Sequence, residues 1–396
     1  MGSLLTEMLE DGLEKQEILK RLESKLGKDL SYDSGSILGS MCTNPLEFGI
    51  EVFTKYVSRN LGDPGLFLGT YELEKELVSE IGELFGGKNI IGSLITGGSE
   101  ANLIAMRIAK KLRPDILNPE IVVPISAHIS FDKAADLLGI TLRKVNLTED
   151  FKLDLKHFES LINRNTCGVV GIAGTTCLGL IDPIAEIGKI IQDRNIFFHV
   201  DAAFGGFVLP FLKNLGFQVP SWDFSIESVD SITADPHKMG LGIIPTGGLF
   251  IKDASILQKV GFNIPYLAGG DFKHLHVVGT RSGGTIIAFW AIIKSLGMNG
   301  FTKIVKKCME NTFFLVKKIQ SINKIKLVTD PVMNIVGFTS EDGDKINDIE
   351  EKLRKLNWMV GKFELFNIIR IVVMPHVQKN HLVNFCNDLE KILEEL

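Results

Sequence analysis

IFFHVDAA, residues 196–203, is an uninterrupted apolar run that ends on a carboxylate, Asp201. Six further runs of this kind occur along the chain: IIGSLIT (90–96), EIVVPIS (120–126), TLRKVNL (141–147), CGVVGIAG (167–174), DSITADP (230–236) and GGLFIKD (247–253). Helical patterns such as ANLIAMRIAKKL (101–112) and PIAEIGKIIQDRN (183–195) separate several of them. Strands that are apolar throughout indicate a sheet covered on both faces, so the sequence predicts a doubly wound α/β domain.

The pattern differs on either side of this region, which divides the chain into three predicted parts. Residues 1–70 contain a charged, periodic segment typical of an amphipathic helix, followed by site-lining loops rich in glycine and proline. Residues 71–284 form the large domain. From 285 to 396, a helix near 286–296 is followed by strands within MNIVGFTS, WMVGKF and IIRIVVM and by further helices, so a small α+β domain is expected.

Composition excludes several classes of function. A net charge of -5 over 396 residues argues against a nucleic-acid partner, because affinity for polyphosphate requires clustered Lys and Arg. The five cysteines are scattered without a Cys-x-x-Cys pair, which fits a reducing cytoplasm. No apolar stretch was expected to approach a membrane span. His376 and His381 lack further ligands nearby, so we expect no metal, and a small-molecule substrate.

Three motifs carry possible chemistry, and each has an ordinary structural explanation when taken alone. GGSEANLIAMRIA (97–109) follows a strand and could cradle a phosphate, although plain helix capping by Ser99 is the commoner role. Asp201, at a strand end, lies where open α/β sheets bind ligands, but it could cap a loop. DPHKMG (235–240) also follows a strand, yet its lysine could be solvated and its histidine structural.

Together the three motifs indicate a cofactor site. An enzyme that transforms amino acids with pyridoxal 5'-phosphate needs a phosphate cradle, a carboxylate at the pyridine nitrogen and a lysine that forms an imine. Gly97 and Gly98, Asp201 and Lys238 supply these parts, each at a predicted strand end. The combination is far more specific than any one of its members.

Six segments resemble the group II pyridoxal-phosphate-dependent amino acid decarboxylases, whose members include glutamate and aromatic amino acid decarboxylases. The segments are SAH (126–128), GTT (174–176), HVDAA (199–203), DPHK (235–238), NLGDPGLF (60–67) and RIVVMPH (370–376). The resemblance covers most of the chain and is strongest to the archaeal branch that acts on L-tyrosine and L-aspartate. It implies fold type I, with a mostly parallel seven-stranded sheet, a small C-terminal domain and a homodimer.

The resemblance assigns the residues around the cofactor ring. Lys238 is implied to be the Schiff-base lysine, and Asp201 the carboxylate paired with the ring nitrogen. His128 is implied to stack on one face of the ring, and Ala203 to leave room on the other. Thr176 is implied to contact the cofactor near Asp201.

Further residues are assigned to phosphate and substrate. The resemblance implies that Gly97, Gly98 and Ser99 bind the phosphate and that His237 places phosphate or substrate beside Lys238. It also implies that Arg370 holds the α-carboxylate of the substrate. An alternative for this arginine is a surface position at a strand edge.

Three positions near the expected interface and cradle complete the assignment. Thr280, in GTRSGG (279–284), resembles a residue that reaches the cofactor phosphate of the partner subunit. Tyr266 is implied to return a proton to the α-carbon from a mobile loop, although this chain has Ala268 where the family more often has threonine. Asp235 stands where eukaryotic relatives have asparagine, and we expect it to point away from the phosphate or to accept a backbone hydrogen bond.

The implied reaction is decarboxylation of L-tyrosine to tyramine for methanofuran, of L-aspartate to β-alanine for coenzyme A, or both. The residues themselves do not distinguish these substrates, or glutamate, although the loops NPLEF (44–48) and GDPGLF (62–67) are candidate pocket walls. Other enzymes with the same lysine and aspartate remain alternatives: a carbon–carbon lyase such as sphingosine-phosphate lyase, or a tRNA-linked cysteine synthase. A non-catalytic cofactor-binding protein is the alternative outside enzymes.

Overall fold

The computed structural model describes residues 11–341 and 345–396, and a seven-stranded sheet forms the frame of the large domain. Its strands are β1 Ile91–Ile95, β2 Glu120–Pro124, β3 Thr141–Val145, β4 Thr166–Ile172, β5 Phe197–Asp201, β6 Ser231–Ala234 and β7 Gly247–Ile251. The strand order is β1-β7-β6-β5-β4-β2-β3, and only β7 runs antiparallel to its neighbours within this sheet. The predicted mostly parallel sheet is confirmed.

Helices bury the sheet on both faces. Those up to residue 260 are α1 Lys15–Leu26, α2 Glu47–Tyr56, α3 Leu68–Leu84, α4 Gly98–Leu112, α5 Ser130–Leu138, α6 Leu155–Leu161, α7 Ile184–Ile191, α8 Leu209–Asn214 and α9 Ser255–Val260. Successive residues of one strand enter different cores: Val169 packs with one apolar cluster and Val170 with the other. Because both faces are covered, the central strands are buried along their whole length rather than alternating, whereas the edge strand β3, TLRKV, is partly exposed.

The small domain is built on a second, antiparallel sheet. Its elements are α10 Gly283–Gln320, β10 Ile325–Leu327, β11 Ile335–Ser340, α11 Ile346–Lys355, β12 Gly361–Phe363, β13 Ile368–Val372 and α12 Lys379–Glu395, with strand order β10-β11-β13-β12. A separate apolar core lies between this sheet and its helices. The expected α+β domain is therefore present, while the exact domain boundaries stay a prediction.

Short elements complete the described chain. The sequence patterns did not predict the hairpin of β8 Phe262–Ile264 and β9 Phe272–His274. Three 3-10 helices span Tyr32–Ser34, Gly205–Phe207 and Glu364–Phe366. The predicted N-terminal helix is seen as α1, whose described residues are all at the surface, whereas residues 1–10 lie outside the described part.

The long helix α10 corrects one expectation. It is long and apolar enough to cross a membrane by length and composition, so the expectation that no stretch would reach this threshold is wrong. Gly297, with φ 53 and ψ -172, interrupts the helix, and residues before and after it pack into the apolar cores of the large and small domains. This packing is that of a core helix.

A segment near the N-terminus joins the two domains. The backbone N–H groups of Leu38 and Gly39 donate to the Met359 carbonyl at 2.8 and 2.6 Å, and Val372 N–H donates to the Leu38 carbonyl at 2.7 Å. Thr43 Oγ1 lies 2.8 Å from His376 Nδ1. These bonds hold the segment against the small domain, with Met41 facing the cavity described next.

Candidate active site

A cavity of about 420 Å³ lies at the C-terminal ends of β4, β5 and β6. This is where open α/β sheets place their ligands. Ten of the residues named from the sequence line it: Gly97, Gly98, Ser99, His128, Thr176, Asp201, Ala203, His237, Lys238 and Arg370. The structure therefore brings together residues from six segments of the chain, from the β1–α4 turn to β13.

The turn between β1 and α4 is shaped as an anion cradle. Gly97 has φ +146, a backbone region that side chains rarely adopt, and a Cβ on Gly98 would lie 2.8 Å from Asp235 Oδ2. The N–H groups of Gly98 and Ser99 have no hydrogen-bond partner among the described residues, so they remain free for an anion at the helix N-terminus. The alternative explanation of this motif, capping by the Ser99 side chain, is wrong, because α4 begins without a side-chain cap.

Asp201 ends β5 with both carboxylate oxygens held. Its side chain is buried, Oδ1 accepts a hydrogen bond from Ala203 N–H at 3.0 Å, and Oδ2 accepts one from Asn102 Nδ2 at 3.0 Å. The carboxylate is thus fixed in one orientation at the cavity wall.

Behind Asp201 lies a polar network that the sequence analysis missed. Asn102 Oδ1 is 3.0 Å from both Thr233 Oγ1 and His199 Nε2, and His199 Nδ1 is 2.8 Å from Ser231 Oγ. Burial lowers the pKa of His199 to about 4, so its ring is neutral at neutral pH. The available signal was the presence of single polar residues, Asn102 and His199, inside otherwise apolar runs.

The neutral state of His199 makes the fold sensitive to acid. The pKa of His199 is lower in the folded protein than the 6.5 of the unfolded chain. Its neutral ring therefore stabilises the fold at pH values above 6.5, and this contribution is lost as the pH falls from 6.5 towards 4. Between pH 7 and 5 we expect His199 to account for about 2 kcal/mol of lost unfolding free energy. Chemical denaturation at both pH values should show a smaller loss in His199→Gln. His157→Gln, on α6, is the control, and an identical pH dependence in both variants would contradict the expectation.

Lys238 lies just beyond β6, paired with Asp235. Lys238 Nζ is 3.1 Å from Asp235 Oδ2, and the Asp235 side chain is buried. Burial by itself lowers the pKa of the Lys238 ammonium, but the Asp235 and Asp201 carboxylates outweigh it, and the net pKa lies above the usual value. The expectation that Asp235 would point elsewhere is wrong, because its carboxylate forms part of the cavity wall and is charge-balanced by Lys238.

Two histidines lie beside these groups. His237 Nδ1 accepts a hydrogen bond from Thr246 N–H at 3.1 Å, and burial lowers the pKa of His237. His128 lies at the exposed mouth of the cavity, where its Nδ1 accepts from Ser130 N–H at 3.2 Å. Partial removal from water lowers the pKa of His128, although the Asp201 charge opposes this shift. In each neutral ring, Nε2 carries the proton.

Arg370 places a buried cation in the wall of the same cavity. It is 7% exposed, its Nη1 donates to the Thr176 carbonyl at 2.7 Å, its Nη2 donates to the Gly39 carbonyl, and it lies over the Phe363 ring at 5.1 Å. It has no carboxylate partner among the described residues, and burial lowers its pKa to about 10. The alternative of a surface arginine is therefore wrong. A buried cation without a counter-ion favours an anionic ligand.

Tyr266 and Thr280 lie outside this cavity. Both line a neighbouring cavity of about 500 Å³, where Tyr266 is 81% exposed. Gly62 and Asp63, from the GDPGLF loop, line that second cavity as well, and the described walls of the first include none of this loop. Within one chain, these side chains are thus separated from Lys238, and their assigned roles stay predictions.

Two buried acids, Glu74 and Glu100, bind residues of the segment that precedes α10. Glu100 Oε2 accepts from Thr96 N–H at 2.9 Å, and Oε1 accepts from Val277 N–H at 3.2 Å. Glu74 and Arg281 form a bidentate ion pair, with Nη1–Oε1 2.5 Å and Nη2–Oε2 3.0 Å, and both side chains are 3% exposed. Sequence reasoning missed both anchors, although a charge on an apolar helix face, as at Glu74, was a usable signal.

The sequence of residues 70–341 matches the pyridoxal-dependent decarboxylase conserved domain, more than half of the chain. The chain belongs to this family. Relatives of this decarboxylase extend the match to nearly its full length. It is 44% identical to the L-aspartate decarboxylase of Thermococcus kodakarensis, over 98% of this chain and 99% of that protein. It is 43% identical to a probable L-tyrosine/L-aspartate decarboxylase of Methanothermobacter thermautotrophicus, over 92% and 99% of the two chains.

Solved structures share the fold of this decarboxylase. A sphingosine-1-phosphate lyase of Burkholderia pseudomallei superposes with a TM-score of 0.91 at 28% identity, covering 99% of this chain and 93% of the lyase. A glutamate decarboxylase of Lactobacillus brevis superposes with a TM-score of 0.90 at 23% identity, covering 100% and 96%. The expected fold of a pyridoxal phosphate enzyme is confirmed.

The cavity of this decarboxylase fits its cofactor. Free N–H groups at the cradle suit a phosphate, the carboxylate of Asp201 suits a protonated ring nitrogen, and Lys238 offers the amine that such enzymes require. The wall formed by glycine and Ala203 leaves space that larger side chains would fill. The chain is thus a pyridoxal-phosphate-dependent decarboxylase of amino acids.

Proposed function

We propose that this decarboxylase converts L-aspartate to β-alanine and L-tyrosine to tyramine. The observation that carries the proposal is the buried Arg370, a cation without a counter-ion that shares a cavity with Lys238 and Asp201. The names of the near full-length relatives support these two substrates. β-Alanine would supply coenzyme A synthesis and tyramine would supply methanofuran synthesis, in an archaeal cytoplasm.

The proposed roles follow the positions of the side chains. Gly97, Gly98 and Ser99 hold the cofactor phosphate through backbone N–H groups, with His237 alongside. Bound pyridoxal phosphate supplies an acceptor for the electron pair that remains on the α-carbon when carbon dioxide leaves. Lys238 provides the amine that bonds to the cofactor.

The remaining walls orient the reacting groups. Asp201 would face the ring nitrogen and keep it protonated. His128 and Ala203 would lie on the two faces of the ring, and Thr176 would contact the cofactor near Asp201. Arg370 holds the α-carboxylate of the incoming amino acid, with its guanidinium prealigned by two backbone carbonyls.

We propose that the working unit is a homodimer, in which Tyr266 and Thr280 serve the site of the other subunit. Both lie away from the cavity of their own chain. The exposed apolar side chains of Ile18, Leu19 and Leu22 on α1 support a second copy as their cover. Tyr266 would return the proton to the α-carbon, and Thr280 would contact the phosphate across the interface.

Product analysis tests the proposed substrates. Purified, cofactor-loaded protein is incubated separately with L-aspartate, L-tyrosine and L-glutamate, and amine formation and kcat/KM are compared. β-Alanine and tyramine as the main products would support the proposal, whereas preferential formation of 4-aminobutyrate would overturn it. Absence of any amine, with the cofactor absorbance intact, would instead favour the carbon–carbon lyase, to which the likeness to a solved lyase also points.

Arg370 provides a prediction on substrate binding. Arg370→Leu should lower kcat/KM for either amino acid by about a hundredfold or more, because a buried charge–charge contact with the carboxylate is lost. Cofactor affinity, measured by absorbance titration, should stay close to that of the parent. Arg354→Leu, at an exposed arginine of α11, is the control. An unchanged KM in Arg370→Leu would contradict the assignment.

A further inference from the structure

The side-chain amide of Asn102 uses all of its hydrogen-bonding capacity. Nδ2 donates to Asp201 Oδ2 and to Ser130 Oγ, each at 3.0 Å. Oδ1 lies 3.0 Å from both Thr233 Oγ1 and His199 Nε2. Asn102 is 1% exposed, so none of these bonds competes with bulk water.

The neighbours of Asn102 fix which end of the amide faces Asp201. Ser231 Oγ lies 2.8 Å from His199 Nδ1 and can donate to it, and the neutral ring then carries its proton on Nε2. Asn102 Oδ1 accepts from the Thr233 hydroxyl and from that N–H, which also lies 3.1 Å from Thr233 Oγ1. A flipped amide would set N–H against N–H on one side and oxygen against carboxylate on the other, and both contacts are unfavourable in a buried site.

The fixed amide determines how Asp201 is presented to the cavity. One carboxylate oxygen is held by Ala203 N–H and the other by Asn102 Nδ2, each at 3.0 Å. The ionisable groups around this carboxylate are Lys238 and His128 on the cavity side and His199 behind it. Asn102 is therefore a neutral donor that fixes one oxygen of Asp201 from the protein side.

We propose that Asn102 is the positioning residue of Asp201, fixed by Thr233 and His199 so that it holds the carboxylate aimed at the cofactor ring nitrogen. The inference rests on the proposed role of Asp201. Loss of the Asn102 donor would leave the carboxylate freer to rotate, and its interaction with the ring nitrogen would weaken. Contacts to the phosphate would be unaffected, because they lie at the cradle.

The test compares two cofactors that differ at the ring nitrogen. Equilibrium dissociation constants are measured on cofactor-free protein for pyridoxal phosphate and for the analogue with CH in place of the ring nitrogen. Asn102→Leu should weaken binding of pyridoxal phosphate about ten- to a hundredfold, the range expected for a hydrogen bond to a charged group. Binding of the analogue, which offers Asp201 no partner, should be unchanged. Equal weakening of both would show a merely structural role and overturn the inference.

Two further variants separate the possible failures. Asp201→Ala should likewise weaken binding of pyridoxal phosphate more than binding of the analogue. Equal weakening of both cofactors in this variant would contradict the proposed role of Asp201 itself. If Asp201→Ala is selective and Asn102→Leu is not, only the inference about Asn102 fails. Thr233→Val is nearly isosteric and removes one hydrogen bond to Asn102 Oδ1 but leaves the Nδ2 donor in place. It should weaken binding of pyridoxal phosphate less than Asn102→Leu does, again without affecting the analogue. In Thr233→Val, a wild-type affinity for both cofactors would contradict the proposed fixing of Asn102 by Thr233.

Discussion

Lys238→Ala is expected to lower kcat by about four orders of magnitude or more, because the variant lacks the amine that forms and releases the bond to the cofactor. Cofactor should still bind through the cradle and Asp201, but without a covalent link. Borohydride treatment followed by mass spectrometry checks this directly: the parent should gain the mass of the reduced cofactor and the variant should not.

A matched lysine serves as the control for this change. Lys252 is partly buried, and its ammonium donates to the carbonyls of Ile226 and Glu227 at 3.0 and 2.8 Å, away from the cavity. Lys252→Ala should keep its activity and its trapped cofactor. Turnover by Lys238→Ala at the rate of the parent would rule out the assigned lysine.

The buried Glu74–Arg281 pair gives the largest expected effect on stability. Arg281→Met should lower the unfolding free energy by about 3–5 kcal/mol, because it leaves the Glu74 carboxylate as an uncompensated buried charge. The double variant Glu74→Met, Arg281→Met should recover most of this loss, since no charge is then stranded. Urea denaturation of cofactor-free protein measures both, so that ligand binding does not mask the difference.

An exposed pair provides the comparison for this experiment. Lys355 and Glu351 form an ion pair on α11 with side chains 69% and 65% exposed. Lys355→Met should therefore have little effect on stability. A double variant as unstable as Arg281→Met would show that the hydrogen bonds of Arg281, including the one to the Leu94 carbonyl at 2.6 Å, matter more than charge balance.

Local patterns in the sequence were enough to predict most of the fold and the residues at the centre of the candidate site. The runs quoted from the sequence became β1 to β7, and the central ones are mostly apolar because a strand covered on both faces has few exposed positions. Gly97, Asp201 and Lys238 could be placed together because each follows a strand, and the carboxyl ends of parallel strands share one edge of the sheet.

What the sequence did not reveal depends on contacts between distant residues. Asn102 and Asp201 are 99 residues apart in the sequence, and Glu74 and Arg281 are 207 apart. Neither contact produces a local pattern in the sequence from which it could be predicted. The full length of α10 was missed because Gly297 interrupts the pattern that would have extended the predicted helix. Tyr266 was assigned to the reaction by resemblance alone, and within a single chain it lies in a different cavity from Lys238, beside Thr280, which was assigned to the partner subunit's site.

The bonds of residues 37–43 to the small domain also affect the order of events during protein synthesis. A nascent chain makes the cradle, Asp201 and Lys238 well before β13, which contributes Arg370 and closes the pairing with Leu38. A ribosome stalled between Lys238 and β13 would thus carry the residues proposed to hold the cofactor but would lack Arg370, the proposed ligand of the substrate carboxylate. The complete proposed site requires translation past β13.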